Sequence, residues 1–267
     1  MTGTRSPKRH LASLAALAGA LVVTSTACGS GSGSSAASPT TTTTVAPVID
    51  PGDGGHYSPT ILPADFVDAV DNPYFPLALG SRWVYEGEAD TPGKTEHTVV
   101  VVLPDRKEIM GVSTTTVRDT VRVDGEVIED TLDWYAQDTD GNVWYFGEAV
   151  KNYENGKVVD TDGSFEAGVD GALPGIVMKA HPAVGDAYRQ EFHAGAAEDL
   201  GRVERVDAAK AVPAGRYTKV VVTTDWNPLE PDVVEQKAYA PGVGVIFEEH
   251  VKGGTGTISL LSFEPGG

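Results

Sequence analysis

The chain has 267 residues, and its 38 acidic residues outnumber its 20 lysines and arginines, which gives a net charge of −18. Such an acidic chain is repelled by nucleic acid and by anionic lipid, so the charge argues against electrostatic binding to either as its function. The single cysteine excludes an internal disulfide and a cysteine-based zinc site.

The N-terminal segment has the three-part plan of a secretory signal. Three basic residues precede an apolar run from Leu11 to Val23, and small residues then lead to Cys28. The apolar run is about 13 residues long, whereas a helix that spans a bilayer needs roughly 20. We therefore predict a signal peptide over residues 1–27 and secretion of the remainder of the chain.

The position of Cys28 indicates a lipid anchor. Its small neighbours resemble the bacterial lipobox, in which signal peptidase cleaves before a cysteine that carries diacylglycerol; palmitate is a typical acyl chain of such anchors. Ser25 stands where the lipobox usually has Leu or another aliphatic residue. The prediction is a protein anchored through Cys28 to the extracytoplasmic face of the cell membrane. The alternative is an ordinary signal peptide that is cleaved nearby and leaves a free thiol.

Composition divides the mature chain into two parts. Residues 28–58 are rich in Gly, Ser, Thr, Ala and Pro, cannot bury enough apolar surface to fold, and are predicted to form a disordered tether. Residues 59–267 are predicted to form a single β-rich extracytoplasmic domain. Cleavage before Cys28 would leave 17 basic and 38 acidic residues, a net charge of −21.

Strand patterns dominate the domain. Alternating or β-branched residues predict strands from Arg82 to Glu86 and from Ser113 to Val123, and Asp124-Gly125 and Asn155-Gly156 are two-residue hairpin signals. Consecutive hairpins predict a mainly β fold in which an antiparallel meander forms a curved sheet or half barrel. One short N-terminal helix is predicted from Pro63 to Val70.

A weak internal repeat relates residues 76–148 to residues 182–249. Gly80 and Trp83 recur as Gly185 and Tyr188, and Tyr135-Ala136 recurs as Tyr239-Ala240. The spacings differ by a residue or more, so the sequence is compatible with coincidence as well as with two similar four-strand halves.

Motifs for catalysis and metal binding are missing from the sequence. It has no His-Glu-x-x-His, no Gly-x-Ser-x-Gly and no glycine-rich phosphate loop. Asp138-Thr139-Asp140-Gly141-Asn142 resembles the start of a calcium loop but lacks its later ligands, so a hairpin turn is the better interpretation. Carboxylates such as Glu129 and Asp133 cannot be paired across a sheet from sequence. No catalytic residue, metal site or cofactor is predicted.

Aromatic residues on the predicted strands offer a candidate ligand cleft. Both faces of the same strands carry them, so the rings either form a packed core or line a groove for an apolar ligand. The candidates are Trp83, Tyr85, Trp134, Trp144 and Phe146.

The segment Asn72-Pro73-Tyr74-Phe75-Pro76-Leu77, followed by Gly80 and Trp83, resembles the opening of a family of uncharacterised bacterial lipoproteins and secreted proteins. The resemblance continues through Asp133–Asp138 and Tyr239–Gly244. It implies an extracytoplasmic address but no activity. The anchor, size and meander are more loosely similar to half-barrel lipoprotein carriers of the LolA and LppX type.

These observations favour a membrane-anchored, non-enzymatic lipoprotein that binds a ligand or an envelope protein. The alternative is a carrier of lipid or another apolar molecule in the aromatic cleft, and a third hypothesis is a carboxylate-based hydrolase of an envelope substrate.

Overall fold

A computed structural model describes residues 56–89, 91 and 93–267, so the signal peptide, Cys28 and most of the tether lie outside the described residues. Within these ranges nearly all regular structure is antiparallel β-strand. The strands, numbered in chain order, are β1 Phe66–Val67, β2 Arg82–Glu88, β3 Thr95–Ile109, β4 Val112–Val123, β5 Glu126–Asp138, β6 Val143–Glu154, β7 Lys157–Asp160, β8 Phe165–Glu166, β9 Leu173–Met178, β10 Ala187–Arg189, β11 Glu191–Phe192, β12 Leu200–Val212, β13 Gly215–Trp226, β14 Val234–Ala240, β15 Gly244–Lys252 and β16 Thr257–Glu264.

The strands form one sheet that curves into a nearly closed barrel. Its order is β10-β12-β13-β14-β15-β16-β2-β3-β4-β5-β6-β9-β11. The two ends of this order meet because β10 and β11 are consecutive in the chain. Residues 187–189 pair with β12, and residues 191–192 pair with β9. The predicted curved sheet is therefore confirmed and is more completely closed than a half barrel.

The interior of the barrel contains the main hydrophobic core, and the motif segment caps one end of it. Phe75 of the motif packs on Tyr135, with ring centroids 5.2 Å apart. The side-chain amide of Asn72 donates to the carbonyls of Gly141 and Lys179, at 2.8 and 3.2 Å. The Gly242 amide donates to the Pro73 carbonyl. The motif therefore closes the barrel end that carries the β5–β6 and β14–β15 turns.

A second, smaller core lies on the outer face of β5 and β6. Phe66 contacts the rings of Phe146 and Trp144 edge-on, at 5.4 and 6.3 Å between centroids. Trp134 lies in the same cluster. Strand β5 is thus covered on both faces, which explains why aromatic residues occupy both of its sides.

The internal repeat has a structural counterpart in two five-strand meanders, one more strand in each than the predicted four. The first unit is β2–β6, and the second is β10 with β12–β15. In the first, the Gly80 amide donates to the Val102 carbonyl; in the second, the Gly185 amide donates to the Val203 carbonyl. Both units have a register shift directly before the Tyr-Ala pair, at Tyr135 and at Tyr239.

The helix predicted from Pro63 to Val70 is wrong. Only Pro63–Asp65 forms a 3-10 turn, and the chain then extends into β1, which pairs with β5. Tertiary pairing overrides the weak local helical pattern, because Phe66 packs on the outer core only from an extended backbone. In the described part of the chain, no helix is long and apolar enough to cross a membrane.

The hairpin turns are confirmed. Asp124 and Gly125 both have positive φ, of 51° and 88°, between β4 and β5. Asn155 and Gly156 have φ of 52° and 73° between β6 and β7. Such turns need the left-handed conformations that Asp, Asn and Gly tolerate best.

The cap provides a test of the fold. Replacing Asn72 by Ala should lower the free energy of unfolding by about 2 to 4 kcal/mol, because two buried carbonyls and the Tyr74 amide lose their partner. Urea denaturation measures the change, with the exposed Asp68→Ala in the same segment as the control. Equal stability of the two variants would contradict the role given to Asn72.

Candidate functional site

Several carboxylates point into the barrel interior from the same strand faces as the hydrophobic core. Asp119 lies between Val117 and Val121, which belong to the interior core, so strand alternation points its side chain inward. Asp133 lies two residues before the buried Tyr135 and opposite Glu148 in register. The acidic side chains therefore lie on the side of the interior toward the Asp124-Gly125 turn, among core residues such as Val121.

These interior charges form one group, here called the acidic cluster. All its members are buried, and they come from eight strands around the barrel. The members are Glu96, Asp119, Glu129, Asp133, Glu148, Glu191, Asp225, Glu235, Glu248 and one cation, Lys237.

Lys237 neutralises part of the acidic cluster in the second unit. Its ammonium lies 3.2 Å from Asp225, 3.9 Å from Glu235 and 4.0 Å from Glu248. Burial alone would lower the pKa of this lysine. The surrounding carboxylates outweigh burial and raise its pKa well above the usual range, so the ammonium is charged at neutral pH.

The corresponding place in the first unit has a different electrostatic environment. Asp119 is 3% exposed, and its Oδ1 accepts no hydrogen bond from the described residues. Burial raises the pKa of the Asp119 carboxyl well above its usual range, and the carboxylates of Asp133 and Glu129 raise it further. These surroundings favour the protonated form of the Asp119 carboxyl, and a cation beside it would favour the ionised form.

Two buried tyrosine hydroxyls also lack a hydrogen-bond partner among the described residues. Tyr135 is fully buried, and its hydroxyl lies in the field of Asp133, Glu148 and Asp119. Tyr188 occupies the seam between the two units. In both cases burial raises the pKa of the phenol, so both rings present a neutral hydroxyl.

Glu191 adds a second unsatisfied carboxylate at the seam. Its Oε2 is buried and accepts no hydrogen bond from the described residues. Burial raises the pKa of Glu191 well above its usual range, and Asp199 raises it further.

Tyr145 differs from the neighbouring Tyr135 in having a hydrogen-bond partner. The two rings stack with centroids 4.9 Å apart, and the hydroxyl of Tyr145 donates to Asp133 Oδ1 at 2.8 Å.

The five aromatic candidates do not line one cleft. Trp83 and Tyr85 lie in the interior core, and their polar atoms donate to the carbonyls of Val243 and Val245. The other three occupy the second core on the outer face: Trp134, Trp144 and Phe146.

Sequence reasoning missed the acidic cluster as a group. The available signal was the phase of the strands: Asp133 lies two residues before Tyr135, and Lys237 lies two residues before Tyr239. This alternation shows which residues share a face of the strand. It does not show which face is interior, because an outer core covers the other face of β5.

Other features of the molecule have simpler explanations. The Asp138 carboxylate accepts hydrogen bonds from the backbone and side chain of Asn142, as in a hairpin turn. In the described residues no group of three or more histidine, cysteine or acidic side chains is arranged to hold a metal ion.

A shallow depression of about 350 Å³ on the outer face includes Arg82, Arg118 and Arg122. Arg118 is already paired with a carboxylate there.

Comparisons with known proteins do not assign the chain to a family. No family model matches it, and no curated protein matches it. Among solved structures, a protein from Bacteroides fragilis, assigned as exported and of YmcC-like fold, is 16% identical, with 72% of this chain and 99% of that one covered and a TM-score of 0.42. A protein from Parabacteroides distasonis, assigned as a lipoprotein, is 11% identical, with coverages of 74% and 100% and a TM-score of 0.35.

The acidic cluster should make stability depend on pH. Asp119, Glu191 and Glu248 have raised pKa values in the folded chain, that of Glu248 about 8, and lower ones when unfolded. The folded state therefore holds more protons above about pH 4.5, and stability falls as the pH rises toward 8. We expect the free energy of unfolding to drop by at least about 2 kcal/mol between pH 5 and pH 8.

Urea denaturation across this pH range measures the drop. Asp119→Asn keeps the shape of the side chain and removes its titration, so the slope should become shallower. The exposed Asp207→Asn should leave the slope unchanged. A wild-type stability that rises from pH 5 to pH 8 would contradict the proposed state of the cluster.

Proposed function

We propose that this protein is a lipid-anchored extracytoplasmic binding protein that holds a polar ligand in the acidic half of its barrel interior. One observation supports ligand binding above all others. Four buried polar atoms lack hydrogen-bond partners among the described residues, namely Asp119 Oδ1, Glu191 Oε2 and the hydroxyls of Tyr135 and Tyr188.

Unpaired buried polar groups are expensive for a fold. Each costs about 1 to 3 kcal/mol relative to a satisfied group, so native interiors contain few of them. A ligand that donates and accepts hydrogen bonds here would recover that free energy on binding. The same polarity argues against the apolar carrier, because the aliphatic and aromatic half of the interior is packed with its own side chains.

The address of the protein is supported by its sequence. A basic start, a short apolar run and Cys28 after small residues fit a lipidated product with a tether ahead of the barrel. The barrel supplies a rigid scaffold for binding, and nothing in the arrangement requires a chemical step. A non-enzymatic binding role is therefore the function that the geometry supports best.

The anchor can be tested directly. Wild-type protein expressed in its own host should incorporate labelled palmitate and fractionate with membranes, and Cys28→Ser should do neither. Ser25→Ala, which keeps a small residue beside the cysteine, is the matched control and should still be lipidated. A wild-type mass without acyl chains would contradict the anchor.

The binding site can be tested with two adjacent tyrosines. Tyr135→Phe removes an unpaired hydroxyl, so we expect the ligand-free domain to gain about 1 kcal/mol of stability. Tyr145→Phe removes the hydroxyl that donates to Asp133, so we expect it to lose about 1 to 3 kcal/mol.

Native mass spectrometry of the same variants, purified from the host, provides the second measurement. Wild-type protein should carry a bound small molecule, and Tyr135→Phe should carry less of it. An empty wild-type interior, with Tyr135→Phe as destabilised as Tyr145→Phe, would overturn the binding role.

A further inference from the structure

The two units of the barrel can be compared position by position, because their cross-strand pairs correspond. Tyr135 pairs with Thr115, and Tyr239 pairs with Val221. With the two tyrosines superposed in register, Asp133 corresponds to Lys237. Two of the three acidic neighbours of Lys237 are retained, since Asp225 and Glu248 correspond to Asp119 and Glu148, whereas Glu235 corresponds to Thr131.

The second unit therefore shows how such a set of carboxylates is neutralised. Its ammonium, at the tip of Lys237, lies within 4.0 Å of Asp225, Glu235 and Glu248. In the first unit the lysine position holds a further acid, Asp133. The strongest electrostatic influences on Asp119 all come from carboxylates, and its Oδ1 has no donor among the described residues.

Tyr135 gives an independent indication that a ligand belongs here. Its hydroxyl is fully buried, lies in the field of Asp133, Glu148 and Asp119, and has no hydrogen-bond partner among the described residues. A neutral hydroxyl can accept a hydrogen bond from an N–H donor while the carboxylate beside it supplies the opposite charge.

We propose that the interior of the first unit binds an alkyl diamine or polyamine, with one ammonium group beside Asp119 and Tyr135, in the place that Lys237 occupies in the second unit. This inference rests on the proposed binding function and specifies its ligand class. The unsatisfied Oε2 of Glu191 at the seam, which lies in the field of Asp199 and Asp133 as well as of Lys237, offers an acceptor for another ammonium group of the same molecule. Asp133 lies in the electrostatic field of both sites, which makes them parts of one cluster.

An ammonium group suits this site better than a metal ion. Carboxylates that ligate a metal must converge at about 2.0 to 2.6 Å from one point. In the described residues no such group of three exists. An ammonium group with three N–H donors accepts looser geometry, as the distances of 3.2 to 4.0 Å around Lys237 show.

The test uses the full mature protein with putrescine as the probe and butanediol, its uncharged analogue of equal chain length, as the control ligand. Isothermal titration at neutral pH should detect saturable binding of putrescine and none of butanediol. Binding should release protons, seen as a dependence of the heat on the ionisation enthalpy of the buffer, because an incoming cation favours ionised carboxylates.

Two variants locate the site. Asp119→Asn, which keeps the shape of the side chain, should weaken putrescine binding at least about tenfold. Asp133→Lys places a lysine where the second unit has Lys237, so it should abolish putrescine binding. The exposed Asp207→Asn should bind as the wild type does. If Asp133→Lys fails to fold, the comparison of Asp119→Asn with Asp207→Asn still decides the outcome.

The possible outcomes distinguish failure of the amine site from failure of the proposed binding function. Equal binding of putrescine and butanediol, or putrescine binding that Asp119→Asn leaves unchanged, would overturn the amine site. If putrescine fails to bind while protein from the host carries a neutral ligand, the amine inference falls and the binding function stands. If neither is found, both fall.

Discussion

The interior of this barrel is governed by the free energy of burying carboxylates. A carboxylate loses its hydration when strands close around it, so it must be protonated, paired with a cation or hydrogen-bonded. Lys237 supplies a cation for three carboxylates at once. Hydrogen bonds hold other members, such as those that Glu129 accepts from Thr131 and Asp133 accepts from Tyr145. Burial raises the pKa values of Asp119 and Glu191, so protonation also contributes to the balance of charge.

The two similar units allow the acidic interior to be compared within a single chain. Both units retain the tyrosine after the register shift and the acids at the positions of Asp119 and Glu148. One of the positions at which they differ is Asp133, which corresponds to Lys237. Lys237 is fixed to the backbone and neutralises its neighbours, whereas Asp133 adds a carboxylate, which accepts a hydrogen bond from Tyr145. In the proposed amine site, this difference between two similar units would provide a ligand position without a change of fold.

Much of the fold could be predicted from sequence, because turn chemistry is local. Asp124-Gly125 and Asn155-Gly156 specify their hairpins through φ values that few other residues adopt easily, and successive hairpins specify a meander. The segment after Pro63 could not be predicted, because its pairing with β5 depends on residues about 70 positions away. The acidic cluster could not be predicted for a related reason. Strand alternation shows which residues share a face, but both faces of β5 are buried, so alternation does not show which face is interior.

The same charge distribution affects how a ligand would reach the interior. A chain with 38 acidic and 20 basic residues has a negative potential around it, which concentrates cations near the surface and repels anions. This long-range attraction weakens with ionic strength because the Debye length is only about 8 Å in physiological salt. The short-range contacts in the buried cluster are screened far less. Association of a cationic ligand should thus slow with added salt, while its dissociation is set by the buried contacts around Asp119.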